Sequence, residues 1–496
     1  MRIVTWANPS GPEPHPEEKL APAADSKQPW VSILVGRNGS RKSLLLRFLA
    51  EAALGTDSVR LQNHPTLKPR LKTHPPNAVA ARVIAISGTP FDRFRRQKLP
   101  TSTTKVVLQE AEARYYYLGL KAANGATGLS QSVRTLAHLL FDQPQRHLPT
   151  QSKNIFEFLQ LLPRLSVVLR RHSSISVSRN DKDRGSLPLS AMSPEKLTRR
   201  FRELSAELNR HVREMAVDKR STHGEREARV LSLRSVLDNR AKVRQALAKL
   251  PGNFAFSLAN GVPKSHPSAS SPDLGCHVND LIEVGLVVVS HIALFRADAE
   301  EKQVVVPESD LSSGQWQLLS SMLELSLAAT DNSVVFIDEP ENSLHPGWQI
   351  SYIDLLTRML SGTNGCHVVV ATHSPLIASG VRTKEGNVVQ LVRLDSAPLG
   401  VSMVPRELTY GWEAGDVYHD VFEMKTTRAK SFIEHVDRAL EIVGTGQIAT
   451  EFAELKRLSV LLQGMSESLP SQDPMRQIIA AIVAVVNSQP ARTKAA

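Results

Sequence analysis

Three short stretches of the chain are mostly apolar and lead directly into polar, chemically active residues. They cover residues 30–35, 334–337 and 367–371. Strands that are covered on both faces of a parallel sheet appear as continuous rather than alternating apolar runs. In an open α/β sheet, ligands bind beyond the carboxyl ends of such strands. We therefore expect an α/β fold in which the residues after these stretches meet at one edge of a parallel sheet.

The residues after the first stretch nearly complete a phosphate-binding loop and lead into a helical run at 44–53. The loop consists of Gly36, Arg37, Asn38, Gly39, Ser40, Arg41, Lys42 and Ser43. In the pattern G-x-x-x-x-G-K-[ST], backbone N–H groups surround the phosphates, the Lys reaches the outer ones and the hydroxyl binds Mg²⁺. Arg41 stands where the pattern has its last Gly. The strand, loop and helix around it still predict a nucleotide site.

Two adjacent carboxylates, Asp338 and Glu339, follow the second stretch, and His373 follows the third. A phosphate-binding protein needs one carboxylate at this edge for Mg²⁺ and often a second for the attacking water. On its own, the carboxylate pair is also compatible with a solvated turn after a core strand. A lone His is usually structural, but this one ends the strand next in order after the carboxylates.

A short Ser/Gly loop precedes a predicted helix at residues 316–329. Its polar members are Ser312, Ser313, Gly314 and Gln315. Such a loop at the start of a helix binds anions through free N–H groups and the helix dipole. The commoner meaning of Ser in this place is an ordinary helix N-cap. Both interpretations are compatible with the sequence of this loop.

In this order and spacing, the four stretches resemble the ATP-binding cassette ATPases. By that resemblance, residues 36–43 correspond to Walker A, 311–315 to the signature loop and 334–339 to Walker B, while His373 corresponds to the switch histidine. Residues 338–346 and 371–375 are similar to the soluble OLD/RecF/SMC-like branch rather than to transporter subunits. The expected fold is thus a P-loop ATPase head with an inserted helical, short coiled-coil-like region.

The resemblance implies ATP and Mg²⁺ as cofactors, with Glu339 and His373 as catalytic residues and Ser43 and Asp338 as metal ligands. It also implies a homodimer or higher homo-oligomer of heads. In such an assembly, the signature loop of one subunit faces the Walker A loop of the other. The Mg²⁺-binding Gln of these ATPases is not identified by its context, and Gln97 and Gln109 are the candidates.

Residues 82–94, 115–119 and 411–422 are similar to a narrower group, the ATPases of bacterial anti-phage systems such as PtuA of Septu and its retron-associated relatives. That similarity implies a separate nuclease effector of the HNH type, gated by the ATP state of the heads. Three alternatives remain open. They are a generic soluble cassette ATPase, a DNA-repair or chromosome-maintenance head, and a nucleotide-bound scaffold with slow or no turnover because of Arg41.

Charge and composition add a candidate partner and a compartment. The 496 residues carry a net charge of +11, from 60 basic against 49 acidic side chains. Such a surplus favours a polyanionic partner, most plausibly nucleic acid. The two cysteines, Cys276 and Cys366, lack metal-type spacing. The longest apolar runs, at 284–295 and 478–486, are shorter than the ~20 residues of a membrane span, so we expect no membrane contact and a cytoplasmic protein.

The pattern along the chain predicts four parts, at residues 1–128, 129–272, 273–408 and 409–496. The first and third form the ATPase head, the second a helical insertion with its linker, and the fourth a helical region. Within the insertion we expect helices at 129–169 and 194–250, the second interrupted near 221–224, and a linker at 251–272. Residues 195–249 hold 15 Lys or Arg against 8 Asp or Glu, a net of +7. This segment is either an ordinary solvated helical face or a phosphate-tracking surface formed by Arg199, Arg200, Arg202, Arg210 and Arg213.

Overall fold

The computed structural model describes most of the chain. The described residues are 1–7, 17–23, 27–55, 59–60, 66–67, 70–96, 99, 108, 110–120, 129–143, 147–176, 192–217, 223–250, 252–258, 277–394, 400–424 and 426–488. Their strands are β1 (Arg2–Ala7), β2 (Glu17–Lys19), β3 (Trp30–Val35), β4 (Val59–Arg60), β5 (Thr66–Leu67), β6 (Leu71–His74), β7 (Val83–Ser87), β8 (Tyr115–Leu118), β9 (His147–Leu148), β10 (Arg164–Arg171), β11 (Asn253–Leu258), β12 (Val287–Ala297), β13 (Gln303–Pro307), β14 (Val334–Asp338), β15 (His367–Ala371), β16 (Gly386–Arg393) and β17 (Val401–Arg406).

The helices of the described part lie between and after these strands. They are α1 (Lys42–Ala53), α2 (Glu110–Arg114), α3 (Leu129–Asp142), α4 (Lys153–Phe158), α5 (Pro194–Val217), α6 (His223–Leu237), α7 (Arg240–Lys249), α8 (Val278–Glu283), α9 (Ser313–Ala328), α10 (Pro346–Met359), α11 (Pro375–Ala378), α12 (Ala414–Asp420), α13 (Lys430–Gly444), α14 (Phe452–Glu467) and α15 (Pro474–Ser488).

The main sheet has the strand order β17-β16-β3-β15-β14-β7-β8. Its strands run parallel from β16 to β8, and only β17 is antiparallel to its neighbour. The three apolar stretches of the sequence are β3, β14 and β15, and they lie side by side in this sheet. Their side chains are buried, as expected for strands covered on both faces. The predicted α/β class with a P-loop head is confirmed.

Helix α1 covers the sheet and holds the phosphate-binding loop against it. Its buried side chains include Leu45, Phe48 and Leu49, which join one core with Phe336 and Val369 of the sheet. Each such apolar side chain contributes about 1.5–3 kcal/mol when it is fully buried. This packing fixes the first turn of α1 at the carboxyl edge of the sheet.

A second sheet, of order β13-β12-β10-β11-β9, corrects part of the helical expectation. Residues 164–169, predicted as helix, belong to β10, and residues 253–258, predicted as linker, are β11. In β11, Phe254 and Phe256 are buried while their neighbours are not, and both rings pack edge-on against Phe141. This period of two is the strand pattern, which the surrounding polar and Pro-rich residues obscured.

The same sheet crosses the predicted division at residues 272 and 273. Strands β9, β10 and β11 come from before that point, and β12 and β13 come from after it. The rest of the predicted linker lies outside the described residues. The short strands β2, β4, β5 and β6 lie outside both of these sheets; β1 pairs with β2 and β6, and β4 pairs with β5.

The inserted arm is helical, as predicted, but its second half is broken. Helix α5 has 24 residues, so it is ~36 Å long at 1.5 Å per residue. Helix α6 ends at Leu237, and α7 starts at Arg240. Helices α5 and α6 pack against each other. The arm is thus one long helix beside two shorter ones.

The chain divides into two compact units, Met1–Val417 and Tyr418–Ala496. The second contains α13, α14 and α15, whose apolar faces meet in a core of their own that includes Val436, Leu458 and Ile482. Among the helices that the structure describes, none combines the length and the apolar character that crossing a membrane requires.

Candidate nucleotide site

The register of the main sheet brings the polar residues after its strands to one level. Asp338 pairs with Ala371 on one side and with Ser87 of β7 on the other, and Ala371 pairs with Leu34. Because these strands are parallel, the loops that follow them leave the sheet at the same edge. The predicted loop, carboxylates and histidine therefore lie together.

Lys42 and Ser43 occupy the first turn of α1, where free backbone N–H groups favour an anion. The Lys42 side chain is buried, and its Nζ lies 2.8 Å from the carbonyl oxygen of Gly36 and 3.4 Å from Nδ1 of His373. Burial lowers the pKa of Lys42 to about 8, against the nearby carboxylate of Glu339, which raises it. A buried ammonium with carbonyl partners at the start of a helix is suited to an outer phosphate.

Arg41 has a left-handed backbone, with φ of 68° and ψ of 27°. Glycine adopts this conformation without strain, whereas a residue with a Cβ does so at a cost of about 1–2 kcal/mol. Arg41 thus stands where the sequence pattern has Gly, and its backbone has the left-handed conformation that Gly adopts most easily. The loop nevertheless keeps the shape that leads into α1.

Ser43 and Asp338 meet through a hydrogen bond of 3.1 Å from Oγ to Oδ1. Asp338 is 1% exposed, and its Oδ2 is buried without a hydrogen-bond partner in the described structure. Burial raises the pKa of Asp338 to about 7, although the hydrogen bond from Ser43 opposes this. A hydroxyl beside an unsatisfied carboxylate oxygen is a hard-oxygen pair of the kind that Mg²⁺ prefers.

The donor set is small, as is usual for Mg²⁺. Within the described residues, no group of three or more His, Cys, Asp or Glu side chains is placed to hold a metal ion. Mg²⁺ commonly takes one or two protein ligands and completes its shell with water and substrate phosphates. The residues Ser43 and Asp338 therefore fit that ion better than Zn²⁺, which takes three or four side-chain ligands.

Glu339 follows the metal-type carboxylate and projects beside it. Its φ is 48°, and its N–H donates to the carbonyl of Ala371 at 2.9 Å. One carboxylate oxygen accepts from Asn342 Nδ2 at 3.1 Å, and the other lies 3.9 Å from His373 Nε2. Burial lowers the pKa of His373. Glu339 is thus held from two sides, at a place where it can orient a water molecule.

Glu341, for which no local sequence pattern predicts a role, connects the carboxylate loop to the histidine loop. Its Oε1 accepts from the backbone N–H of His373 at 2.5 Å and its Oε2 from the Thr372 hydroxyl at 2.8 Å. Burial raises the pKa of Glu341, and these hydrogen bonds oppose the rise. Glu341 therefore positions the loop that carries His373.

Gly88 permits a close approach at the other side of the carboxylates. Its N–H donates to the carbonyl of Asp338 at 2.9 Å. A Cβ at residue 88 would lie 2.2 Å from the carbonyl oxygen of Glu339. A side chain there would displace the loop that carries both carboxylates, so the site depends on this glycine.

The Ser/Gly loop at residues 312–315 forms an N-cap at the start of α9. Ser312 accepts from the N–H of Gln315 at 3.2 Å, and the Gln315 side chain accepts from the N–H of Ser312 at 2.9 Å. Gly314 is buried, and a Cβ there would lie 2.2 Å from the carbonyl oxygen of Ser343. Ser312 and Ser313 are exposed. The capping interpretation is therefore confirmed, and it leaves the exposed end of α9 available to an anion.

These elements enclose a cavity of about 390 Å³ at the start of α1. Its lining is formed by Gly39, Ser40, Arg41, Lys42, Ser43, Leu44, Arg47, Arg93, Glu339 and His373. None of Ser312, Ser313, Gly314 and Gln315 is among the lining residues of this chain. Arg37 and Asn38 are exposed and lie on the loop outside the cavity lining. Gln97 and Gln109, the candidates for a metal-binding Gln, lie outside the described residues.

The sequence pattern does not predict that Arg47 and Arg93 line this cavity. Arg47 lies four residues after Ser43 on α1, so helical spacing alone brings it to the same face. Arg93 comes from the loop after β7, and only the strand order shows that this loop lies beside the carboxylates. With Arg41 and Lys42, they give the cavity four cationic side chains.

Comparison with known proteins gives a family match over part of the chain. Residues 260–379 match the family model described as "AAA domain, putative AbiEii toxin, Type IV TA system". This segment includes the signature loop, the carboxylates and His373, and it leaves out the P-loop. A search among curated proteins gave no match.

Solved structures with some likeness include two Smc heads and UvrA2. The Smc head bound to the C-terminal winged-helix domain of ScpA has 13% identity and a TM-score of 0.29, covering 82% of this chain and 98% of that one. UvrA2 from Deinococcus radiodurans has 13% identity and a TM-score of 0.28, covering 81% and 36%. The Pyrococcus furiosus Smc head bound to the C-terminal domain of ScpA has 11% identity and a TM-score of 0.28, covering 82% and 96%.

Proposed function

We propose that this chain is an ATP hydrolase with Mg²⁺ as its metal. The observation that supports this most directly is the hydrogen bond from the Ser43 hydroxyl on α1 to Asp338 on β14. The second carboxylate oxygen of Asp338 is buried and has no hydrogen-bond partner in the described structure. Lys42, Glu339 and His373 surround the same cavity. A phosphate-binding helix start, a metal pair and a water-orienting carboxylate are the parts that phosphoryl transfer to water requires.

Each residue then has a separate role. Lys42 binds an outer phosphate oxygen in place of the carbonyl of Gly36. Glu339, held by Asn342, orients the attacking water and takes up its proton. His373 lies next to both Lys42 and Glu339 and supports the terminal phosphate. Bound Mg²⁺, held by Ser43 and Asp338, supplies positive charge to the phosphate oxygens.

The test is Glu339→Gln, which keeps the shape of the side chain and removes its ability to accept a proton. We expect ATP binding to persist while hydrolysis falls by about 10²–10⁴-fold. Lys42→Ala is the comparison variant, because it should lose binding as well. If Glu339→Gln hydrolysed ATP at the wild-type rate, the proposed role of this carboxylate would be wrong.

The proposed chemistry includes two heads. The exposed Ser312 and Ser313 at the start of α9 would face the phosphate-binding loop of a second copy, with Gly314 keeping α9 close to residue 343. Slow hydrolysis by Glu339→Gln should then prolong an ATP-bound dimer, measured by analytical ultracentrifugation. Adding Ser313→Glu should abolish that dimer by repelling phosphate, whereas Ser361→Glu, also at an exposed position, should not. A dimer that survives Ser313→Glu would contradict this arrangement.

For the biological process, we propose anti-phage defence, in which the ATP state gates a separate HNH-type nuclease. Support comes from the similarity of residues 82–94 and 411–422 to that group of ATPases. The alternative is a DNA-repair or chromosome-maintenance head, favoured by the net charge of +11. A nuclease that copurifies with the chain and is released by ATP would favour defence. DNA-stimulated hydrolysis without such a nuclease would favour repair. If the chain bound ATP but hydrolysed it too slowly to measure, with or without DNA, a nucleotide-bound scaffold would be favoured.

A further inference from the structure

We propose that Arg93 binds the terminal phosphate of the nucleotide held by its own chain, as a second cation beside Lys42. The inference rests on the proposed function, since it requires ATP in the cavity. It assigns a substrate contact to the loop after β7, in which only Gly88 has a role so far.

The first step is the position of that loop. Strand β7 is the direct neighbour of β14, and Ser87 pairs with Asp338 at the end of both. The next residue, Gly88, donates its N–H to the Asp338 carbonyl. The loop therefore begins beside the metal pair, on the opposite side of β14 from the His373 loop. Because Mg²⁺ binds the outer phosphates, this is the end of the cavity where the terminal phosphate lies.

The second step is the way Asp92 anchors the loop. Asp92 is buried, and its Oδ1 accepts from the N–H of Phe94 at 3.1 Å. Its Oδ2 accepts from the hydroxyl of Tyr117 on β8 at 2.8 Å. Phe94 is also buried. The residues on both sides of Arg93 are thus fixed inward, and Arg93 itself is exposed at the cavity wall.

A further set of contacts fixes the exit of the loop. The Arg95 guanidinium lies 5.0 Å from the ring centre of Tyr115, and the Tyr115 hydroxyl donates to the Arg95 carbonyl at 2.7 Å. Arg95 Nε also lies 3.8 Å from Glu51 of α1. The loop is therefore tied to the helix that holds the phosphates. A loop held at this many points pre-organises the side chain it presents.

The third step concerns Arg93 itself. In the part of the chain that the structure describes, its guanidinium makes no hydrogen bond and no ion pair. Glu339, which also lines the cavity, is held by Asn342 and His373 rather than by Arg93. A guanidinium presents a planar set of five donors that matches phosphate oxygens. Arg93 is accordingly free to bind an anion that enters this cavity.

The experiment compares binding of ADP with binding of AMP-PNP, which carries a third phosphate and resists hydrolysis. A charge-assisted hydrogen bond of about 1.5–3 kcal/mol corresponds to about 10–150-fold in affinity. In Arg93→Ala, we expect AMP-PNP affinity to fall by that factor and ADP affinity to change less than about threefold. Arg96→Ala is the matched control, because Arg96 is exposed on the same loop outside the cavity lining.

The anchoring role of Asp92 is tested by Tyr117→Phe. This change removes the hydroxyl that donates to Asp92 and keeps the Arg93 side chain itself unaltered. We expect a smaller loss of AMP-PNP affinity, and no additional loss when Tyr117→Phe is combined with Arg93→Ala. That non-additivity distinguishes positioning of Arg93 from a general loss of stability, which would reduce the affinity of the double variant further.

The remaining outcomes separate the two proposals. Equal weakening of ADP and AMP-PNP by Arg93→Ala would place the side chain at a group that both ligands share, such as an inner phosphate, and would overturn the inference. Wild-type affinity for both ligands in Arg93→Ala would also overturn it, while loss of both in Lys42→Ala would leave the proposed function standing. A wild-type protein that binds neither ligand would overturn both.

Discussion

A single residue, Arg41, combines a left-handed backbone with a bulky cationic side chain at the start of α1. Its Cβ makes that conformation costly, and its side chain lines the cavity in which phosphate would bind. Charge near phosphate favours binding, whereas a Cβ limits how closely the backbone approaches it. Arg41 is therefore expected to favour nucleotide retention over rapid turnover.

Arg41→Gly tests this balance. Relief of ~1–2 kcal/mol of backbone strain is partly offset by ~0.5–1 kcal/mol from the greater freedom of Gly in the unfolded chain. We expect the free energy of unfolding to rise by up to about 1.5 kcal/mol and the hydrolysis rate to increase. Urea denaturation and steady-state ATP hydrolysis measure the two effects.

The matched control for that change is Arg37→Gly. Arg37 lies on the same loop, but its φ is not positive, and it does not line the cavity. Glycine there should lower stability and leave the rate unchanged. A rate that stays the same or falls in Arg41→Gly would mean that the arginine has a positive role in hydrolysis.

The buried pair Asp338 and Lys42 predicts how nucleotide binding depends on pH. The pKa of Asp338 is raised to about 7, so the carboxylate that Mg²⁺ needs is lost as pH falls below that value. The pKa of Lys42 is lowered to about 8, so the ammonium that phosphate needs is lost as pH rises above that value. Both groups are in the required state only between these limits.

We expect the affinity for Mg²⁺ and AMP-PNP to be greatest between pH 7 and 8, where calorimetry should also detect protons released by Asp338. Affinity should fall by up to about tenfold per pH unit on either side, because one proton is gained or lost. Asp338→Asn should remove the acidic limb of the remaining binding, and Lys42→Arg, which keeps a cation that stays charged at alkaline pH, should remove the alkaline limb. If the loss of affinity on either side of the pH optimum persisted in the variant meant to remove it, that loss would belong to the titration of another group.

At the scale of elements, the strands that carry the site could be predicted because their pattern is local. Continuous apolar runs identified β3, β14 and β15, and chain order suggested that they are neighbours. The loop before α1 and the cap of α9 also follow from short-range rules about glycine, serine and helix starts. The chemistry of Lys42, Ser43 and Asp338 was therefore accessible from the sequence.

Other elements could not be predicted, because what defines them is distant in the chain. Strand β10 was assigned to a helix because its valines and leucines fit both periods over so short a run. The roles of Gly88 and Glu341 depend on backbone atoms of neighbouring loops, which no local pattern reveals. Arg93 belongs to the site only because β7 lies next to β14, more than 200 residues away in the chain.

At the scale of the whole molecule, the positive charge is unevenly distributed. Residues 195–249 carry a net of +7 of the total +11. On α5, Arg199 and Arg200 both bind Glu203, and Arg200 also donates to the carbonyl of Val284. These two arginines therefore help to hold the arm together, which supports the solvated-face interpretation for them.

The other three arginines of the predicted surface are different. Arg202, Arg210 and Arg213 are exposed and, in the part of the chain described by the structure, make no hydrogen bond or ion pair. At 100° per residue, they lie within about 80° of one another around α5. A row of arginines of this kind can bind successive phosphates of a nucleic acid without recognising its base sequence.

Replacing Arg202, Arg210 and Arg213 together by Ser tests whether the arm binds nucleic acid. We expect weaker binding of every DNA or RNA sequence, with the slope of log affinity against log salt reduced by about 0.9 for each lost duplex contact. Basal ATP hydrolysis should persist, since none of the three lines the cavity.

The control replaces Lys430, Lys456 and Arg457, which are exposed on α13 and α14, and removes the same net charge. Equal losses in both variants would indicate a general charge effect, and binding curves that overlay the wild type at each salt concentration would exclude these three arginines from nucleic-acid contact.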